Sequence, residues 1–132
     1  MNAGSHAQQL MQMAAKDISA LRVMISSEAI ADEIFGFHAQ QAAEKVLKAW
    51  IDQAGGTFGW VHDLRILLLT LQDLGFSIER YLELIHLNSY AVRFRYEPSD
   101  EEDAPLDRLE TLRMVNELYE HVLNNSEAGE NL

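Results

Sequence analysis

Cysteine is absent from this chain of 132 residues, proline occurs only twice, and long apolar runs are missing. Without cysteine the chain has no disulfide framework and no thiolate metal site, which is compatible with a reducing compartment. The longest apolar block, residues 66–69, ends at Thr70, whereas a membrane span needs about 18 apolar residues. The N-terminus lacks the basic start and apolar stretch of a signal peptide. We therefore expect a cytoplasmic protein without membrane association.

Basic residues are also scarce. The chain carries 21 acidic and 10 basic side chains, for a formal net charge of −11. This balance argues against broad phosphate-driven binding of nucleic acid, which normally requires a basic surface. Several cations nevertheless fall within three short segments: Lys45, Lys48, Arg65, Arg93 and Arg95. Their grouping predicts a local positive site within an acidic molecule.

Apolar residues recur at helical spacing along nearly the whole chain, and no segment shows the alternation of a strand. The pattern predicts helices over residues 8–26, 32–54, 64–75, 78–96 and 105–123. Residues 1–132 are long enough for a single core, which we place at about residues 8–123 with frayed ends. We expect an all-α protein: an antiparallel up-and-down helical bundle of four main helices plus a short fifth.

Local signals predict where these helices begin and end. Asp32, Asp63 and Ser77 are the expected N-caps of the second, third and fourth helices. The pair Gly55-Gly56 should end the second helix, and Pro98 the fourth, because the residue before proline disfavours helical backbone angles.

The second predicted helix carries a polar ridge. At 100° per residue, His38, Gln41, Lys45 and Lys48 lie within roughly 80° of one another. The opposite face is apolar and suits a core: Phe35, Ala39, Ala42, Ala43, Val46, Leu47, Trp50, Ile51 and Ala54. Two ammonium groups, an amide and an imidazole in one row can bind an anionic or nucleotide-like group. The alternative is an ordinary solvated helix face.

A short aromatic loop follows this helix, Thr57-Phe58-Gly59-Trp60-Val61. Its bulk either packs over one end of the bundle or forms a surface for a partner, and packing is the expectation.

Three segments in this order resemble the HEPN family (higher eukaryotes and prokaryotes nucleotide-binding domain). The first is Phe37-His38-Ala39-Gln40-Gln41-Ala42-Ala43-Glu44-Lys45-Val46-Leu47-Lys48-Ala49. The second is His62-Asp63-Leu64, and the third is Arg95-Tyr96-Glu97. The resemblance covers roughly residues 9–123 and implies the same helical bundle.

The resemblance also implies a function: a homodimeric module that binds a nucleotide or an RNA-like ligand. The ligand-binding candidates are Gln41, Lys45, Lys48, His62, Arg95 and Tyr96. It further implies a partner, a minimal nucleotidyltransferase encoded separately, as in two-component toxin–antitoxin pairs. Two of these residues have a structural alternative. His62 stands at a helix start, where it can take part in capping, and Arg95 can form an ion pair with Glu44.

Some members of the family are metal-independent ribonucleases that use an arginine followed, after four to six residues, by a histidine. Arginine can hold the phosphate while histidine transfers a proton. The segment from Arg93 onward contains no histidine, and Arg80 with His86 fits the bare spacing only weakly. We therefore predict no catalytic residue and leave an RNA-cleaving toxin as an alternative function. The other alternative is an assembly subunit without a small ligand.

No cofactor or metal is predicted. The single Glu83-x-x-His86 pattern has no second copy, which a di-metal bundle would require. The pair Gly55-Gly56 lacks the strand and the Lys-Ser/Thr of a phosphate-binding loop.

Overall fold

The computed structural model describes residues 5–91 and 105–130, with side chains described as far as residue 125. It contains α1 (His6–Met24), α2 (Asp32–Gln53), α3 (Leu64–Asp73), a 3-10 helix (Glu79–Leu87) and α4 (Arg108–Glu130). These described segments contain no strand, and the helices pack against each other. The predicted all-α helical bundle is confirmed. No helix among the described residues is long and apolar enough to cross a membrane.

Three helix ends are formed by residues next to them in the sequence. Ser5 caps α1 in a capping box, since its hydroxyl accepts from the Gln8 amide at 3.2 Å while the Gln8 side chain accepts from the Ser5 amide. Asp63 caps α3 as predicted, accepting from the Arg65 amide at 2.9 Å. Gly55, with φ of 82°, ends α2 as predicted, because only glycine adopts that angle without strain.

Two predicted caps are wrong. Asp32 is the first residue of α2 and does not cap it; the N-cap is Ala31, which makes no side-chain cap bond. The Asp32 carboxylate instead accepts from the Leu106 amide at 3.0 Å and from Arg108 Nε at 2.9 Å. The Asp32 carboxylate therefore binds groups that are distant in the sequence and not an amide of its own helix. Ser77 is also not a cap, because the following helix begins after Ile78.

The fourth predicted helix is a 3-10 helix over Glu79–Leu87, with an α-helical turn at 88–91 behind it. Its N-cap Ile78 and its positions Tyr81, Leu84 and Leu87 are buried, so that burial repeats every three residues. That is the period of a 3-10 helix, whereas an α-helix repeats every 3.6 residues. Leu82, next to the buried Tyr81, is exposed.

α2 lies at the centre of the bundle and packs most extensively on α1. Asp17 in the middle of α1 contacts His38 and Lys45 of α2, while His6 at the start of α1 lies near Asp52 at the end of α2. The two helices are therefore antiparallel. The expected apolar face of α2 is buried except for Ala54, which lies just beyond the helix and is exposed.

Arg108 at the start of α4 closes the end of the bundle opposite the aromatic loop. Its guanidinium donates to the carbonyl oxygens of Met24 and Ser27 at 2.9 and 3.0 Å, and also to that of Ile30. The loop between α1 and α2 is thereby tied to α4. The prediction started this helix at about Pro105, three residues before its observed first turn.

Candidate functional site

The residues of the polar ridge of α2 contact two different carboxylates, and both carboxylates are largely shielded from solvent. At its first end, His38 and Lys45 both contact Asp17 of α1: His38 Nδ1 lies 3.2 Å from one carboxylate oxygen, and Lys45 Nζ lies 2.7 Å from the other. The Asp17 side chain is 13% exposed and that of Lys45 is 20% exposed. Lys45 therefore connects two helices, which the ridge pattern did not indicate.

The other end of the ridge is organised around Glu44, whose side chain is 7% exposed. Glu44 Oε2 lies 3.0 Å from Lys48 Nζ and 3.0 Å from His62 Nδ1, while its Oε1 accepts from Gln40 Nε2 at 3.2 Å. Gln41 joins the network by donating to Gln40 Oε1 at 2.7 Å. We call these five residues the Glu44 cluster. It brings together three predicted ligand residues from two separate motifs: Gln41, Lys48 and His62.

His62 is held at two points and still faces solvent. Its carbonyl oxygen accepts from Gln40 Nε2 at 3.0 Å, and its imidazole contacts Glu44 while 70% of the side chain remains exposed. Capping of α3 is instead performed by Asp63, supported by Asn88, whose side chain donates to Asp63 at 2.7 Å and accepts from the Leu64 amide at 3.0 Å. In the structure His62 therefore does not cap α3.

An open groove with a volume of about 510 Å³ adjoins the Glu44 cluster. We call it the aromatic groove; its lining residues are His6, Leu10, Lys48, Asp52, Gly56, Thr57, Phe58, Gly59 and Trp60. Lys48 belongs to both features, because its ammonium contacts Glu44 and also lies 5.4 Å from the centre of the Phe58 ring. Such a position allows a cation–π interaction.

The two aromatic residues of the loop behave differently. Phe58 is half-buried against the core and lies 5.8 Å, ring centre to ring centre, from His6. Trp60 is 96% exposed. The expectation that the loop packs over the bundle end is therefore right for Phe58 and wrong for Trp60.

Arg93, Arg95 and Tyr96 lie outside the described residues. The alternative of an ion pair between Arg95 and Glu44 therefore also lies outside the described residues. Glu44 has its partners Gln40, Lys48 and His62 within the described part of the chain.

Arg80 and His86, which match the ribonuclease spacing, lie on the 3-10 helix. Six residues in such a helix span about 12 Å, which separates the two groups along the axis. The Arg80 guanidinium is bound to the Glu117 carboxylate of α4, and this hydrogen bond is the main cause of the lowered pKa of Glu117. Arg80 is thus engaged in a surface ion pair between elements.

Two carboxylates of the site were missed by sequence reasoning. Asp17 interrupts the apolar stripe of α1, and that interruption was the available signal for a buried partner. Asp52 follows Lys48 by one helical turn, but nothing in the sequence indicated that it would line a groove. Within the described residues, no group of three or more His, Asp and Glu side chains is placed to hold a metal ion.

The chain matches the family model described as HEPN domain over residues 5–127. No curated protein and no solved structure matches it significantly. The match spans nearly the whole described bundle, including the Glu44 cluster and the aromatic groove. The chain therefore belongs to the HEPN domain family.

Proposed function

We propose that this HEPN domain binds a nucleotide or an RNA-like ligand where the Glu44 cluster meets the aromatic groove. The observation that carries the proposal is the position of Lys48. Its ammonium is fixed between a buried carboxylate and an aromatic ring, and it lines an open groove beside an exposed tryptophan. Proteins bind the bases of single-stranded nucleic acids by stacking them on aromatic side chains and bind the phosphates with cations.

The exposed His62 imidazole adds a hydrogen-bonding group next to Lys48. With Nδ1 directed at Glu44, the second ring nitrogen has no hydrogen-bond partner among the described residues and can contact a ligand. Gln41 supports this arrangement through Gln40. Arg95 and Tyr96 complete the proposed ligand-binding set on the strength of their match to the family pattern. Lys45 forms an ion pair with Asp17 of α1, and we assign it to the packing of α1 on α2.

We also propose a biological setting: a homodimer that works with a separately encoded minimal nucleotidyltransferase in a two-component, toxin–antitoxin-like system in the cytoplasm. This setting rests on family resemblance. An adjacent nucleotidyltransferase gene supports it, and co-purification of the two products tests it. An isolated gene whose product binds no such enzyme contradicts it.

Ligand binding is tested by titrating the protein with adenosine 5′-monophosphate and a short single-stranded RNA. Lys48→Ala should weaken binding by about 1–3 kcal/mol, the range for losing a hydrogen bond to a charged group. Added salt should weaken it further, since a phosphate contact is screened. Lys16→Ala is the matched control, because Lys16 is an exposed lysine of α1 that does not line the groove. A parent protein that binds neither probe overturns the proposal and favours an assembly subunit.

A further inference from the structure

The two tryptophans of the chain have opposite environments. Trp50 is 2% exposed in the core, whereas Trp60 is 96% exposed at the aromatic groove. Exposing so large an apolar ring costs free energy that a stacked ligand would recover. The volume of the groove, about 510 Å³, lies within the range of about 300–1,000 Å³ typical of small-molecule sites.

Asp52 is the second distinctive residue of the groove. It lies one helical turn after Lys48 on α2 and is only partly exposed. Within the part of the chain that the structure describes, its carboxylate has no hydrogen-bond or ion-pair partner. Glu44, one turn before Lys48, has three. Asp52 therefore offers two acceptor oxygens to whatever enters the groove.

The charge around the groove limits the number of phosphates that it accepts. Lys48 is a single ammonium, and the carboxylates of Glu44 and Asp52 flank it on the same helix. A ligand with several phosphates would meet this excess of negative charge, within a molecule of net charge −11. A nucleotide with one phosphate fits better, with that phosphate at Lys48 and its uncharged sugar at Asp52.

We propose that the aromatic groove is selective for ribonucleotides over deoxyribonucleotides, an inference that rests on the proposed function. Trp60 stacks on the base, and Asp52 accepts a hydrogen bond from the ribose 2′-hydroxyl. A carboxylate is a known recognition group for this hydroxyl in nucleotide sites, and the 2′-hydroxyl is the group by which proteins distinguish RNA from DNA.

The test compares adenosine 5′-monophosphate with 2′-deoxyadenosine 5′-monophosphate by calorimetry and by tryptophan fluorescence. Stacking should quench Trp60, and Trp60→Phe should remove this signal, because the buried Trp50 is not accessible to the base. The parent protein should bind the ribonucleotide about tenfold more tightly, the effect of one hydrogen bond to a charged group. Asp52→Asn should remove most of this preference. Glu28→Gln, which neutralises an exposed carboxylate in the loop between α1 and α2, should retain it.

The outcomes separate this inference from the proposed function. Equal binding of the two nucleotides by the parent, with weaker binding in Lys48→Ala, overturns ribose selectivity and leaves nucleotide binding in place. A preference that persists in Asp52→Asn overturns the role of Asp52. If Asp52→Asn weakens both nucleotides equally, the carboxylate acts on a group that the two nucleotides share, and the inference is also wrong. Absence of binding to either nucleotide overturns both proposals.

Discussion

The Lys45 ammonium lies 2.7 Å from the Asp17 carboxylate, and this contact joins α2 to α1 in the middle of their shared interface. The pair is shielded on both sides, since neither side chain exceeds 20% exposure. Lys48, one turn further along α2, makes its contact within the helix, to Glu44. Two lysines of one motif thus have different partners: Lys45 contacts the neighbouring helix, and Lys48 contacts its own helix and lines the aromatic groove.

Lys45→Ala should therefore lower stability and leave nucleotide binding unchanged. Removing the ammonium leaves the Asp17 carboxylate short of a charged partner, and we expect a loss of about 1–3 kcal/mol in the free energy of unfolding. Urea denaturation measures it, and a double-mutant cycle with Asp17→Ala isolates the pair. A stable Lys45→Ala variant with impaired binding would restore Lys45 to the ligand site.

Glu44→Gln should be more destabilising than an exposed substitution of the same kind. It keeps the shape of the side chain but leaves Lys48, whose side chain is 11% exposed, without its counter-ion. Breaking a buried pair in this way costs about 3 kcal/mol. Thermal and urea unfolding measure the loss, with Glu83→Gln on the exposed face of the 3-10 helix as the matched control. A loss no larger than that of the control would show that the cluster contributes little to stability.

Purified protein should show no appreciable metal-independent cleavage of RNA. The Arg80 guanidinium is bound to Glu117, and about 12 Å of helix axis separates it from the backbone of His86. Incubation of a labelled single-stranded RNA with repurified protein in the presence of a chelator tests this. Cleavage that persists through repurification and disappears in His86→Ala would establish the enzyme alternative.

We predict a homodimer in solution, because closed twofold dimers are the commonest assembly and the chain exposes several large apolar side chains. Examples are Val23 at 80% and Leu109 at 72% exposure. Light scattering across micromolar concentrations should give twice the mass of 15.0 kDa. A monomer mass throughout that range would contradict the prediction.

His121 should make stability fall as the solution becomes acidic. Its ring lies 5.0 Å from that of Trp50 and 5.9 Å from that of Tyr81, and burial, with a smaller effect of Arg80, lowers its pKa below 6.5. The unfolded chain then binds the proton more readily than the folded one. This contribution to stability is therefore present above pH 6.5 and is lost as the pH falls through the folded pKa.

The measurement is the melting temperature of the parent and of His121→Phe at several pH values between about 8 and 5.5. The variant should lose less stability than the parent as the pH falls through this range. Parallel curves for the two proteins would show that His121 does not contribute to the pH dependence. The neighbouring groups that bear on the ring, Arg80 and Asn125, are unchanged in both proteins.

The sequence by itself determined the helical fold, the course of α1 to α3, the cap at Asp63, the end of α2 at Gly55 and the family. These features depend on apolar period and on interactions between residues a few positions apart, so they are encoded locally. The 3-10 helix was missed even though its three-residue period is visible in the sequence, because an α-helical pattern was fitted to the same apolar residues.

Only the tertiary structure decided which side chains meet. Asp32 was assigned to a cap and instead binds Arg108, and Lys45, a predicted ligand residue, forms an ion pair with Asp17 of the neighbouring helix. Gly36 of α2 packs so closely against the ring of Tyr90 that a Cβ at this position would overlap the ring. Trp60 and Phe58 are two residues apart, yet one is exposed and the other packs on the core. Each outcome depends on how the helices are rotated and placed against one another, and a periodic pattern within one helix does not specify that arrangement.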